Sequence, residues 1–258
     1  MRRVGAFIIL ILGTLGASAR ASAAAPEPST LCAVPEALEY SELALPHVAA
    51  RLKAGEPVRI VVMGSGSSAG MGATRAENAY PERLGGELAR RFPKARFVIV
   101  NLSKRGQLAE DMAARFAHDV LGEQPALVIW QTGTVDAVKG VDAEAFADTL
   151  ESGIDELKGH GADVILMNLP YNPHISTILN VTPYRDDMAW VAQSKAVILF
   201  DRYAMMRYWS ETDVIDFSNP SQADQAKTDD LVHGCIAYRL AAMVENAVKG
   251  PPEAEAKP

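Results

Sequence analysis

Five short apolar runs punctuate the chain, and stretches with helical spacing separate them. The runs are residues 58–62 (VRIVV), 96–100 (RFVIV), 125–131 (PALVIWQ), 163–167 (DVILM) and 196–200 (AVILF). They are rich in β-branched residues and too apolar for strands with one wet face, so they predict strands buried on both sides. The spacing predicts a helix over 35–53, with Leu38, Leu45, Val48 and Leu52 on one side, and another over 81–91 with Leu84 and Leu88 inward. Further helices are expected over 107–121, 143–158, 184–192 and 202–209, with a closing helix over 231–248. Gly159 and Gly161 stop the fourth of these. Residues 210–229 read as a polar loop. Strands that alternate with helices call for a parallel sheet covered on both faces. Right-handed crossovers then give a three-layer α/β/α sandwich, flavodoxin-like, with five parallel strands.

The first strand leads into Gly64-Ser65-Gly66-Ser67-Ser68-Ala69-Gly70-Met71-Gly72, a turn built almost wholly of small residues. Glycine allows a sharp strand exit, and hydroxyls at the carboxyl end of a buried parallel strand lie where open α/β sheets place ligands. Three readings compete: a turn that presents a nucleophilic serine, a dinucleotide loop, or a Gly/Ser turn without chemistry. The dinucleotide reading weakens because no tyrosine has a lysine four residues on, and Asn101 rather than an acidic residue closes the second strand. The segment Gly66-Ser67-Ser68-Ala69-Gly70 fits G-x-S-x-G, but that elbow normally follows several strands, whereas this turn follows the first.

The chain ends carry other information. Arg2 and Arg3, an apolar stretch over 6–15 and the small residues Ala21-Ser22-Ala23 read as a signal peptide over 1–23, cleaved near Ala23. The expected product is periplasmic or secreted, with an N-terminal segment and helix over 24–57, one domain over 58–249 and a disordered, Pro-rich tail over 250–258. A net charge of -7 argues against a nucleic-acid partner, and no later stretch is apolar enough to span a membrane. Two cysteines in an oxidising compartment predict a disulfide between Cys32 and Cys235, the alternative being two free thiols. No histidine or cysteine cluster has metal-ligand spacing, and no cofactor is expected.

The turn and three later blocks resemble the SGNH (GDSL-type) hydrolase family over about residues 57–248. The first block is the turn itself. The second is Asn101-Leu102-Ser103-Lys104-Arg105-Gly106, against N-x-G-x-x-G, followed by Glu110-Asp111-Met112. The third is Gly133-Thr134-Val135-Asp136, against G-x-N-D. The fourth is a D-x-x-H just before the last helix. The resemblance implies serine esterase, lipase or carbohydrate-deacetylase chemistry. Its nucleophile position falls on Gly66, so Ser65 or Ser67 must replace it, and its asparagine oxyanion donor is Val135. Gly106 N–H and Thr134 are the remaining oxyanion candidates. Two registers are open for the fourth block. Asp230-Leu231-Val232-His233 fits it literally, with His233 as general base and Asp230 orienting it. Alignment on the last helix instead places Asp224 and Lys227 there, and lysine is a poor base at neutral pH. His174, Asp201 and Arg202 lie on loops that reach the same end of the sheet, with capping or ion pairing the plainer role for the last two.

Two functions follow. One is a periplasmic SGNH-type serine ester hydrolase acting on a small-molecule or glycan ester, such as a carbohydrate O-acyl esterase or deacetylase. The other is a catalytically degenerate relative that binds a glycan or a protein partner. The sequence leaves the oligomeric state open.

Overall fold

The computed structural model describes residues 31–173, 178–218 and 221–249. The expected signal peptide, the Pro-rich tail and His174 lie outside the described residues. Five strands form one sheet: β1 (Val58–Met63), β2 (Phe97–Asn101), β3 (Leu127–Gln131), β4 (Asp163–Met167) and β5 (Ile198–Phe200). All pairs are parallel and the order is β2-β1-β3-β4-β5. This is the three-layer sandwich that the apolar runs predict.

Side chains alternate between two cores. Val58, Ile60 and Val62 of β1 face one core, with Leu127 and Ile129 of β3 and Ile165 and Met167 of β4. Val61, Met63, Val128, Trp130, Val164 and Leu166 face the other. The first core is closed by α2 (Pro46–Ala54), α3 (Tyr80–Arg91), α8 (Arg202–Glu211) and α9 (Gln222–Lys249), with the short α1 (Glu36–Glu39) beside it. The second is closed by α4 (Ala109–Ala113), α5 (Thr134–Lys139), α6 (Ala143–Gly159) and α7 (Thr182–Ser194). The crossover from β1 to β2 runs over one face, and those from β2 to β5 run over the other. The chain therefore reverses direction at β1, and the crevice at the carboxyl ends of β1 and β3 is the topological switch point where such sheets hold ligands.

Three elements differ from the sequence reading. The helix expected over 35–53 is two helices separated by Tyr40–Leu45. The helix expected over 107–121 is α4 followed by a wide turn at Phe116–Val120 and a tight one at Leu121–Glu123. Met112, Phe116 and Val120 are all fully buried at four-residue intervals. A regular α-helix would rotate each such step by about 40°, and a wider turn keeps all three on the core side. The polar loop expected over 210–229 is shorter, because α9 begins at Gln222, nine residues before the expected start. Ser221 supplies the start signal: its Oγ accepts the Asp224 N–H at 3.1 Å and donates to the Asp224 carboxylate at 2.5 Å.

Candidate functional site at the carboxyl edge of the sheet

The turn after β1 is fixed by a buried polar network. Tyr80 on α3 donates its hydroxyl proton to Ser68 Oγ at 2.6 Å, and Ser68 donates to Gln131 Oε1 at the end of β3 at 2.9 Å. The same oxygen accepts the Ser65 N–H at 3.2 Å. Asn101, which closes β2, donates to the Ser68 carbonyl at 2.9 Å, so the second block pins the first. Asp136 ties the third block to α4: it is buried and accepts from Thr132 Oγ1, Gly133 N–H and Ala109 N–H. The residues shared with the SGNH blocks therefore build the floor of the site.

The candidate nucleophiles flank Gly66. Ser65 is buried, and its Oγ accepts the Gly106 N–H at 3.1 Å. The backbone donor expected to bind an oxyanion is thus directed at Ser65. Ser67 is half-buried, and its Oγ accepts from Arg202 Nη1 at 2.7 Å. Gly66 stands where the resemblance places the nucleophile. A Cβ built there meets Met71 Cε at 2.5 Å, so the Met71 thioether packs over the spot that a serine side chain would need. Val135 offers no donor, and Thr134 Oγ1 is buried without a hydrogen-bond partner.

The literal fourth block does not assemble as a relay. His233 is buried in α9, with its ring stacked on Tyr80 at 6.1 Å between centroids. Its Nδ1 accepts the Tyr80 N–H at 3.1 Å, and its Nε2 faces the Met71 carbonyl at 3.1 Å. A carbonyl only accepts, so Nε2 carries the proton and the ring is the neutral tautomer. Burial lowers its pKa, more than the Met71 bond raises it. Asp230 is turned elsewhere: it accepts from Thr74 N–H, Thr74 Oγ1 and Asn78 Nδ2. The alternative register fares no better for proton transfer. Asp224 lies in the first turn of α9 with its N–H and carboxylate bonded to Ser221 Oγ, and Lys227 extends into solvent with an ion pair to Asp224 at 3.2 Å. The physical reason is the early start of α9, which draws both registers into a continuous helix.

The structure adds Arg202, which the sequence reading assigned to capping or ion pairing. Asp201 does cap α8, accepting the Ala204 N–H at 2.9 Å. Arg202 instead crosses under the ends of β4 and β3 to reach Ser67, and its Nε donates to the Asn168 carbonyl at 3.1 Å. Tyr80, Gln131 and Asn168 were likewise not singled out. These partners lie 12 to 66 residues away, and no local spacing marks such contacts. The predicted Cys32–Cys235 disulfide is present, with Cα atoms 5.1 Å apart. No described helix is long and apolar enough to cross a membrane.

Known proteins resemble this arrangement. The sequence model of the non-GDSL lipase-like family matches residues 31–250. No curated protein sequence matches. Among solved structures, a two-domain esterase active on acetylated mannans is 21% identical with a TM-score of 0.61, covering 83% of this chain and 55% of that one. An acetyl-xylooligosaccharide esterase from Geobacillus stearmophilus is 20% identical with a TM-score of 0.56, covering 72% of this chain and 94% of that one. TesA is 20% identical with a TM-score of 0.53, covering 69% and 97%. At these identities the likeness is one of fold, and it is the fold that the four blocks implied.

Proposed function

Because the chain belongs to the non-GDSL lipase-like family, we propose that it is an SGNH-fold protein that holds an acylated or glycan-type ligand in its cleft without forming a covalent acyl-enzyme. One observation carries this reading: the position at which the resemblance expects the nucleophile is Gly66, which has no side chain to attack with. The engagement of both His233 nitrogens by main-chain groups supports it, since a general base needs a free lone pair within reach of the hydroxyl. The ligand class comes from the esterases on acetylated mannans and xylooligosaccharides that share the fold. The leader-like residues 1–23 and the disulfide support a periplasmic or secreted location.

A second reading is ester hydrolysis by Ser65, in line with the esterase-type fold. It is favoured by the Gly106 N–H held 3.1 Å from Ser65 Oγ, a donor beside a hydroxyl at the strand end. Intact-mass analysis after incubation with a fluorophosphonate separates the two. The expected result is an unlabelled wild-type protein. A single adduct that disappears in Ser65→Ala or Ser67→Ala, and forms more slowly in His233→Ala, would establish a serine hydrolase and refute the non-covalent reading.

A further inference from the structure

The floor of the site buries a cation that has no counter-charge among the described residues. Arg202 is 2% exposed. Its Nε and Nη1 are used by the Asn168 carbonyl and Ser67 Oγ, and its Nη2 is buried with no hydrogen-bond partner among the described residues. The neighbouring carboxylate, Asp201, is directed at Asn168 Nδ2 and the Ala204 N–H instead. Burial pushes the guanidinium down to about 10, which leaves it charged at neutral pH. The groups whose fields it feels do not balance it: burial pushes the Tyr80 phenol up to about 12, and His233 is the neutral tautomer. An isolated charge in an interior is costly unless a partner neutralises it.

The turn above Arg202 supplies further donors. Ser67 Oγ accepts from Arg202, and Ser65 Oγ accepts from Gly106 N–H. Among the described residues neither hydroxyl donates to an acceptor in return. Each O–H is therefore left to point at a ligand, and that of Ser67 is polarised by the cation behind it. The two serines flank half-buried Gly66 on the turn after β1.

We propose that Ser65 and Ser67, backed by Arg202, form a receptor for a carboxylate group of the ligand held in the cleft. A carboxylate carries one charge and two oxygens, which matches one buried cation and two hydroxyls whose protons have no acceptor among the described residues. A phosphate dianion would call for more positive charge than the site holds. The inference rests on the non-covalent reading above and names the ligand chemistry for it: an acidic sugar or a free acyl acid rather than a neutral ester.

Thermal unfolding of the mature protein tests this, followed in acetate, in glucuronate, in inorganic phosphate and in chloride at matched ionic strength. In wild type the midpoint should rise with carboxylate over chloride, by about 5–10 °C once the ligand exceeds its Kd a hundredfold. A larger response to glucuronate than to acetate assigns the acidic sugar, and the reverse assigns the acyl acid. Arg202→Met should unfold at a similar or higher temperature than wild type in chloride and show no carboxylate-dependent rise. If Arg202 serves only the fold, Arg202→Met should instead fall in every salt alike. Ser67→Ala, a half-buried turn position, keeps the test decisive should Arg202→Met not fold, and is expected to weaken the response at least several-fold. Equal shifts in chloride and carboxylate, a stronger response to phosphate, or an unchanged response in both variants would overturn the proposal. Failure of the two readings is separable. A fluorophosphonate adduct together with an Arg202-dependent carboxylate shift refutes the non-covalent function and leaves the receptor standing. An unlabelled protein without the shift refutes the receptor alone.

Discussion

His233 shows how a residue of catalytic type comes to serve the fold. Its ring links α9 to α3 through the Tyr80 N–H and to the turn after β1 through the Met71 carbonyl, and the bond from Tyr80 needs an unprotonated Nδ1. Burial lowers its pKa, Arg202 and Arg83 push in the same direction, and Asp230 and the Met71 bond oppose them. The folded state therefore binds this proton less readily than the unfolded state. Stability from this group is fully present above the unfolded value of about 6.5 and is lost as pH falls from there through the lower folded value. Asp163 and Asp229 carry raised pKa values, from burial and, for Asp229, also from Asp230, and they act with the opposite sign. They lose stability as pH rises from the ordinary carboxylate range, so the histidine has to be isolated by substitution. Urea midpoints measured between pH 5 and 8 should decline on the acid side in wild type. In His233→Gln the curve should lie lower, by about 1–3 kcal/mol for the lost buried bonds, and be flatter below pH 6.5. An equal acid slope in the two proteins would mean that His233 titrates freely. The sequence made the histidine visible through D-x-x-H but not its partners, because those are main-chain groups 153 and 162 residues away. Gly66 was legible as a missing nucleophile, while the Met71 side chain that covers it was not, since nothing in the order of residues says which way a methionine folds back.

At the scale of elements, a cap is supplied from across the fold. Helix α2 begins at Pro46 after Leu45, which has no side-chain acceptor for the first turn. Asp163, the first residue of β4, accepts the Val48 N–H at 2.9 Å from 115 residues away. It is thus an N-cap by tertiary contact, and burial pushes its carboxyl up against the lowering effect of the bonds from Val48 and His47. Asp163→Ala should cost about 1–2 kcal/mol, as a lost cap does. Asp163→Asn should retain most of that because its carbonyl oxygen still accepts. Denaturant midpoints of the three proteins check this, and an alanine variant as stable as wild type would remove the cap from the account. The same tertiary logic explains which elements could be read in advance. Strands β1, β3 and β4 are buried at almost every residue and read as continuous apolar runs, and the edge strand β2, though only half-buried, is as apolar along most of its length. The first two turns of α9 are mostly exposed and carry no apolar stripe; their signal was the Ser221–Asp224 pair, which is easily passed over inside a polar stretch. The stretch after α4 had a helical spacing of apolar residues, so the wide turn at Phe116–Val120 left no mark in the sequence.

The whole molecule is closed by its ends. Cys32 and Cys235 are 203 residues apart, and the bridge joins the N-terminal segment to the middle of α9. The segment has other ties as well: the Trp209 indole donates to the Ala33 carbonyl at 2.9 Å, and Arg239 reaches both the Cys32 carbonyl and Glu39. Cys32, Val34 and Leu45 are buried in the same core as β1 and α9. These contacts hold the segment in place without the bridge, so the bridge acts chiefly on the unfolded chain. The double variant Cys32→Ser, Cys235→Ser should therefore fold to the same structure but lose about 2–5 kcal/mol, because a long loop is no longer closed in the denatured state. Both cysteines are almost fully buried. Dithiothreitol should leave the native wild-type protein intact, and it should shift the urea transition toward that of the double variant only where unfolding exposes the bridge. Unfolding curves of both proteins with and without reductant decide it. Coincident oxidised and variant curves would mean that the non-covalent ties alone close the fold. A bridge that broke in native buffer would mean that the N-terminal segment opens on its own. The pairing, and that it ties the N-terminal segment to the last helix, was foreseeable from a count of two cysteines and a leader-like N-terminus. That both cysteines lie in the core with β1 was not, since only the folded sheet brings them there.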